Sequence, residues 1–293
     1  MTADLTATLQ IAKRLYSLAQ EHNDPALIVG AYECLASALY FCGDFDAAHE
    51  SAALGVQIWR SGKVQSQVEE LMAPGVVCLC YKALSEWHLG EAASYQVTMA
   101  EAVSVAKQLH DMHALVLVLY WSTYLACLEG DFAKVGRLAS DLMETSMRLT
   151  CATWLPHARV LRGWARSVSG SIAEGMSSIE DGIVEYRAAG AILALPFFQI
   201  LKAEALHLAS RTSEALAALE EGETVVERSE ARIWCSELYR LRGVFLAAIC
   251  ADEAQIEASF REAIRIAHEQ KSISLAKRAE ASYLEYRRQK GKR

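Results

Sequence analysis

Gly163-Trp-Ala-Arg-Ser-Val-Ser-Gly170-Ser-Ile-Ala-Glu-Gly-Met-Ser-Ser-Ile-Glu-Asp-Gly182 decides the fold, because its three numbered glycines recur along the chain as three columns of small residues. The middle column is Gly43, Gly90, Gly130, Gly170, Ser210 and Ala251, in steps of 47, 40, 40, 40 and 41 residues. Seven residues before each mark stand Ala36, Ala83, Thr123, Gly163, Ala203 and Val244, and twelve after it stand Gly55, Ala102, Leu142, Gly182, Gly222 and Ala263. Self-similarity at this period marks an array in which each unit buries its apolar face against its neighbours. Mostly small side chains at fixed points on two successive helices let the axes cross closely.

Apolar positions at i, i+3, i+4 and i+7 place an opening helix at about 4–22. Helix pairs follow at 25–42 with 46–61, 72–89 with 92–109, 112–129 with 133–149, 155–169 with 172–189, 194–209 with 213–229 and 231–249 with 254–270, and a last helix spans 272–289. Pro25, Pro74, Pro156 and Pro196 open first helices, where a missing N–H costs nothing. Gly43-Asp44-Phe45 and Gly130-Asp131-Phe132 are one turn written twice, glycine ending a helix and aspartate capping the next. The first interval is seven residues longer than the others, which reads as an enlarged loop at 61–70.

The expected fold is all-α, an α-solenoid, with no strands. No Pro/Gly/Ser-rich linker divides the 293 residues, so a single repeat domain over 1–293 is expected, with a partial unit at 1–23, six helix pairs over 24–271 and a closing helix over 272–293. The chain reads as beginning inside an array. A net charge of −7 offers no field that would attract nucleic acid. The first twenty residues form an amphipathic helix and not a signal peptide, and no window reads as apolar enough to span a bilayer, so a cytoplasmic protein without membrane contact is expected. Eight cysteines, including Cys78 and Cys80, are read as reduced, mostly core thiols.

Function is expected in the concave groove. In a helix-pair register the first helices place Tyr40, Phe41, Trp87, His88, Tyr120, Tyr124, His157, Trp164, Phe197, Glu204 and His207 there, a largely aromatic set suited to recognition or to packing between repeats. Arg159, Arg162 and Arg166 share a face of one helix at i, i+3 and i+7, a cluster able to hold carboxylate or phosphate or to be neutralised within the chain. Arg240 and Arg242 form a second such pair. His110 with His113 and Cys78 with Cys80 are the metal-like spacings, and neither has a second pair to complete a site, so no metal is expected. No GxxxxGK[ST], GxGxxG after a strand, GxSxG or HExxH occurs, so no cofactor and no catalytic residues are expected. The basic tail from Lys277-Arg278 to Lys292-Arg293 reads as a solvated closing helix.

With the turn glycine, a small residue seven before it and another twelve after, the units resemble tetratricopeptide repeats, most closely at Ile256-Glu-Ala-Ser-Phe260-Arg-Glu-Ala263. The period is longer than the roughly 34 residues of the standard unit, a form similar to the helical sensor arrays of bacterial signal-transduction ATPases, including that of the maltose-regulon activator. Leu161-Arg-Gly-Trp-Ala165, Tyr186-Arg-Ala-Ala-Gly-Ala191, Pro196-Phe197-Phe198, Glu237-Leu-Tyr-Arg-Leu-Arg-Gly243 and Pro74-Gly-Val-Val-Cys78 resemble the C-terminal repeat region of bacterial multidomain signalling proteins that carry a cyclase domain and an AAA-type ATPase domain. The resemblance implies a non-catalytic module that binds a protein or peptide partner, or alternatively a small-effector sensor regulating a linked ATPase, cyclase or transcription-control module.

Overall fold

Close approach of α8 (Leu155–Val168) and α9 (Ile172–Ala188) shows how the small-residue columns act. A Cβ placed on Gly163 would lie 2.7 Å from the carbonyl oxygen of Gly175, and one on Gly182 would lie 2.9 Å from that of Pro156. The two backbones therefore touch along the pair, and no side chain fits between them.

The computed structural model describes residues 5–62, 73–149 and 152–291. Among them are fourteen α-helices and two short 3₁₀ turns, with no strand. The opening helix α1 is Leu5–His22. The pairs are α2 (Pro25–Cys42) with α3 (Phe45–Arg60), α4 (Pro74–His88) with α5 (Ala92–Gln108), α6 (Met112–Glu129) with α7 (Phe132–Arg148), α8 with α9, α10 (Leu195–Leu208) with α11 (Thr212–Ser229), and α12 (Cys235–Ala248) with α13 (Glu253–Glu269); α14 (Ile273–Lys290) closes the order. The 3₁₀ turns, Ala152–Trp154 and Arg232–Trp234, lead into α8 and α12. The expected loop at 61–70 falls almost wholly outside the described residues; Ser61 and Gly62 form a turn at its start.

The turns obey the glycine reading at five of six marks, where Gly43, Gly90, Gly130, Gly170 and Ser210 all have positive φ. The sixth is corrected by one residue. Cys250, not Ala251, takes the left-handed conformation (φ 54°), and the buried small residue in α12 is Gly243, not Val244. A Cβ on Gly243 would lie 2.9 Å from the Phe260 ring, so the need for space at that crossing sets the register. Asp44 and Asp131 cap α3 and α7, accepting from the N–H groups of Ala47 at 3.2 Å and Lys134 at 2.9 Å.

First helices pack on their partners and on the first helices of neighbouring units, which is why α2 and α6 are apolar almost all round. That corrects the expectation about apolar windows. Pro25–Cys42 and Met112–Glu129 are long and apolar enough to cross a membrane by length and composition, and in the fold most of Met112–Glu129 is buried against protein.

Candidate functional site: a closed aromatic interior

The two ends of the array meet. Thr6 on α1 donates to Glu230 at 2.7 Å, Lys271 pairs with Asp46 at 2.6 Å, and Ser272 Oγ is hydrogen-bonded to His88 Nδ1 at 2.9 Å. The closure has a local cause. The last carbonyls of an α-helix have no partner within the helix, and side chains of α14 and its cap supply them. Ser274 donates to the carbonyl of Trp87, Ser272 to that of His88 at 3.5 Å, and Arg278 Nη1 to that of Leu128 at 2.8 Å. The start of the last helix is thereby fastened to the ends of α4 and α6.

Enclosed by this closure is a column of rings. Tyr40 lies edge-on to Trp121 at 6.1 Å, and Trp121 to Tyr124 at 5.6 Å. Tyr124 meets Phe197 at 4.9 Å, and Phe197 stacks on Trp234 at 5.2 Å with 15° between planes. A second group gathers around His157, whose ring contacts Tyr120, Trp154, Tyr186 and Phe198. The side-chain N–H groups of Trp121 and Trp234 are buried without an acceptor.

Beside Tyr124, Phe197 and Trp234 lies an ionic cluster contributed by three helices. Arg240 makes a fork of two bonds to Glu237, 2.8 and 2.5 Å long, Arg278 reaches the same carboxylate at 3.1 Å, and Arg240 also donates to Ser282 at 3.1 Å. Trp164 Nε1 donates to Glu204 at 2.8 Å. Burial pushes the Glu237 carboxyl up, but the guanidiniums of Arg240 and Arg278 outweigh it and hold the group at about 2. Glu204 goes the other way, raised by burial and by the charge of Glu237. Burial alone lowers His88 to about 3, leaving a neutral imidazole near the cluster. Between these groups remains a cavity of about 20 Å³, room for a single water-sized occupant. The interior thus combines packed aromatic faces, two indole donors without acceptors, and a cluster of two guanidiniums with the carboxyl groups of Glu237 and Glu204.

Tyr40, Trp87, Tyr120, Tyr124, Trp164 and Phe197 are all less than 9% exposed, within the packed interior. His207 is half-buried away from the column, its ring 4.7 Å from Phe245 and its Nδ1 3.0 Å from Thr212 Oγ1. Arg159 pairs with Glu185 at 3.1 Å, Arg162 points to Met143, and Arg166 is exposed, so these three belong to a different face. Sequence reading did not place Trp121, Trp234, Glu237, Ser272 or Arg278 in the site. The tail reading is corrected at Arg278, which turns inward because Glu237 and an orphan carbonyl wait for it. The signal present in the sequence was the Glu237/Arg240 spacing of three, which pairs charges on one helix face.

His49, Glu86 and Glu91 bring ligand-type atoms within 4.8 Å of one another, with Lys82 already paired to Glu86. Cys34, Cys42, Cys78, Cys80, Cys127 and Cys235 are free thiols, each raised by burial and so poorly nucleophilic; Cys151 lies outside the described residues.

No protein-family model matches the chain. The chain is 21% identical over 276 residues to the uncharacterised protein R02095 of Rhizobium meliloti (strain 1021), and spans 94% of its own length but 27% of that relative's. Among solved structures, a Rap protein complexed with competence and sporulation factor superposes with a TM-score of 0.61 at 12% identity, over 90% of this chain and 74% of the other. The chain folds as an all-α solenoid of tetratricopeptide-like helix pairs. A tetratricopeptide repeat protein from Parabacteroides merdae ATCC 43184 matches at a TM-score of 0.36 and 14% identity, over 82% of this chain and 96% of that one.

Proposed function

We propose that this solenoid is a non-catalytic module that binds a segment of a protein or peptide partner in its aromatic interior once the fastened ends part, as a single repeat domain (1–293) of a longer bacterial signalling protein. The observation that carries the reading is the unbroken run of rings from Tyr40 to Trp234 beside the Glu204/Glu237/Arg240/Arg278 cluster. Aromatic faces with a few fixed polar groups are the usual make-up of a recognition hot spot. The curated relative, of which this chain spans 27%, supports a place within a longer protein. The Rap protein's complex with competence and sporulation factor supports a bound partner for a solenoid of this shape.

The closure favours a second reading, a small-effector sensor regulating a linked ATPase, cyclase or transcription-control module. A cavity of about 20 Å³ behind the fastened α14 admits a ligand only when the ends part, so binding and opening would be one event. Panning a displayed peptide library on the purified protein, alongside a thermal-shift panel of nucleotides and sugars, separates the two. Peptides that perturb tryptophan fluorescence and lose affinity on Trp234→Ala support the first; a stabilising metabolite with no peptide hit supports the second; ligands indifferent to Trp234→Ala and Tyr124→Ala exclude the interior.

A further inference from the structure

Cations recur on the face of the first helices turned away from the aromatic interior. Lys82 on α4, Arg162 on α8, Lys202 on α10 and Arg242 on α12 keep the forty-residue step, with Ser122 on α6 filling the remaining place. On α8, Arg162 stands two residues before Trp164, roughly 200° round the helix from the indole that contacts Glu204.

Three of the four cations have a carboxylate of their own. Lys82 pairs with Glu86, Lys202 with Glu180 at 3.5 Å and Arg242 with Glu223 at 2.7 Å. Glu223 lies on α11, nineteen residues before Arg242. Nineteen residues before Arg162, on α7, stands Met143, and Nη1 of Arg162 is directed at its sulfur, 3.3 Å away. The Nε of Arg162 is buried with no acceptor. Arg159 beside it is matched by Glu185, whereas exposed Arg166 has no ion pair among the described residues. Burial and then the charges of Arg166 and Arg159 lower the Arg162 guanidinium, and no carboxylate opposes them. The corresponding face of α12 opens into a trough of about 590 Å³ between α11 and α13, which carries its own acids, Glu220 and Glu262, near Arg242.

We propose that the outer face of α8, flanked by α7 and α9, captures an acidic peptide segment by seating one of its carboxylates on Arg162 where the repeat supplies none. A carboxylate is the counter-group the array itself uses at the other three places, and a guanidinium takes it in a two-bonded fork. Met143 and half-exposed Met147, one turn apart on α7, add an apolar wall that a peptide covers and a free inorganic anion does not. This site is separate from the interior, so either can fail without the other.

The test uses the full chain and a labelled peptide of alternating Glu and Leu, titrated by fluorescence anisotropy at low and high salt, with inorganic phosphate as competitor. Binding should weaken with salt and fall about tenfold or more in both Arg162→Gln and Met143→Glu, the loss expected for one charged hydrogen-bonded contact. Met143→Glu is the decisive variant, since it supplies the missing carboxylate from within and should keep or raise the melting temperature while blocking the peptide. Arg261→Gln, which removes an exposed cation on α13 outside both sites, should leave the peptide's affinity unchanged. No binding by the wild type, equal binding by both variants, or full displacement by phosphate at concentrations equal to the peptide's would overturn the proposal.

Discussion

Ser272 Oγ lies 2.9 Å from Nδ1 of His88, a residue 184 positions earlier in the chain. His88 is itself stacked on Phe45, ring centres 3.6 Å apart and planes 6° inclined, and its Nε2 is 3.3 Å from the Tyr40 hydroxyl. One imidazole therefore ties the first two helix pairs to the cap of the last helix. Ser272→Val removes that partner and leaves a buried ring nitrogen and a helix-end carbonyl unsatisfied, at a cost of about 1–3 kcal/mol. Hydrogen exchange should show faster opening of α14 than of α8; uniform protection matching the wild type would mean the ends are held together elsewhere.

Acid should loosen the same junction. His88 is lowered by burial from an ordinary value of 6.5 to about 3, and His157 to about 4. Between those values the unfolded chain binds the protons that the folded chain refuses. Their stabilising effect is whole above about pH 6.5 and is lost as pH falls toward 3, by about 1.4 kcal/mol per pH unit for each group. Glu33, raised by burial to about 7, acts with the opposite sign above pH 4.5. The clean readout is therefore a difference. Between pH 6.5 and 4.5 the unfolding free energy of His88→Gln should decline less steeply than that of the wild type, measured by urea denaturation, and parallel slopes would contradict a neutral buried His88.

Gly163→Leu should destabilise by about 1–3 kcal/mol or more, because the first added carbon already meets the Gly175 carbonyl at 2.7 Å and the Ile179 backbone nitrogen at 3.0 Å. Backbone cannot move aside as a flexible side chain can. Gly136→Ala, whose Cβ would meet a single neighbour at 3.8 Å, is the matched control and should melt like the wild type. Equal melting temperatures for both variants would show that α8 and α9 cross farther apart.

Trp87→Ala and Trp164→Ala test the interior. Each ring is under 9% exposed, so truncation should cost about 3–5 kcal/mol. Trp164→Phe keeps most of the ring but withdraws the donor from Glu204, which should raise that carboxyl further and cost about 1–3 kcal/mol. If Trp164→Phe remains folded by circular dichroism and loses an interior ligand, the indole serves recognition; if both alanine variants fail to fold while Trp164→Phe binds normally, the two rings serve packing.

By itself the sequence determined the helices and their pairing. Gly43, Gly90, Gly130 and Gly170 terminate helices through local backbone preference, Ser210 takes the same left-handed turn without it, and Asp44 and Asp131 start helices through side-chain caps, so the glycine and aspartate signals are complete within a few residues. Spacing also brought out Gly163 and Gly182, since a close crossing favours a small residue at the same place in most units. The candidate interior was legible only in part. Tyr40, Tyr124 and Phe197 were expected in a concave groove and lie in the packed interior, whereas Trp234 stands on a 3₁₀ turn outside the helical period, and Arg278 resembles any other cation of an amphipathic last helix. Which residues 150 or more positions apart meet was decided by the tertiary structure alone, as with Ser272 on His88 and Arg278 on the Leu128 carbonyl. Small rotations between units, summed over the array, bring the ends together, and no single repeat encodes that sum.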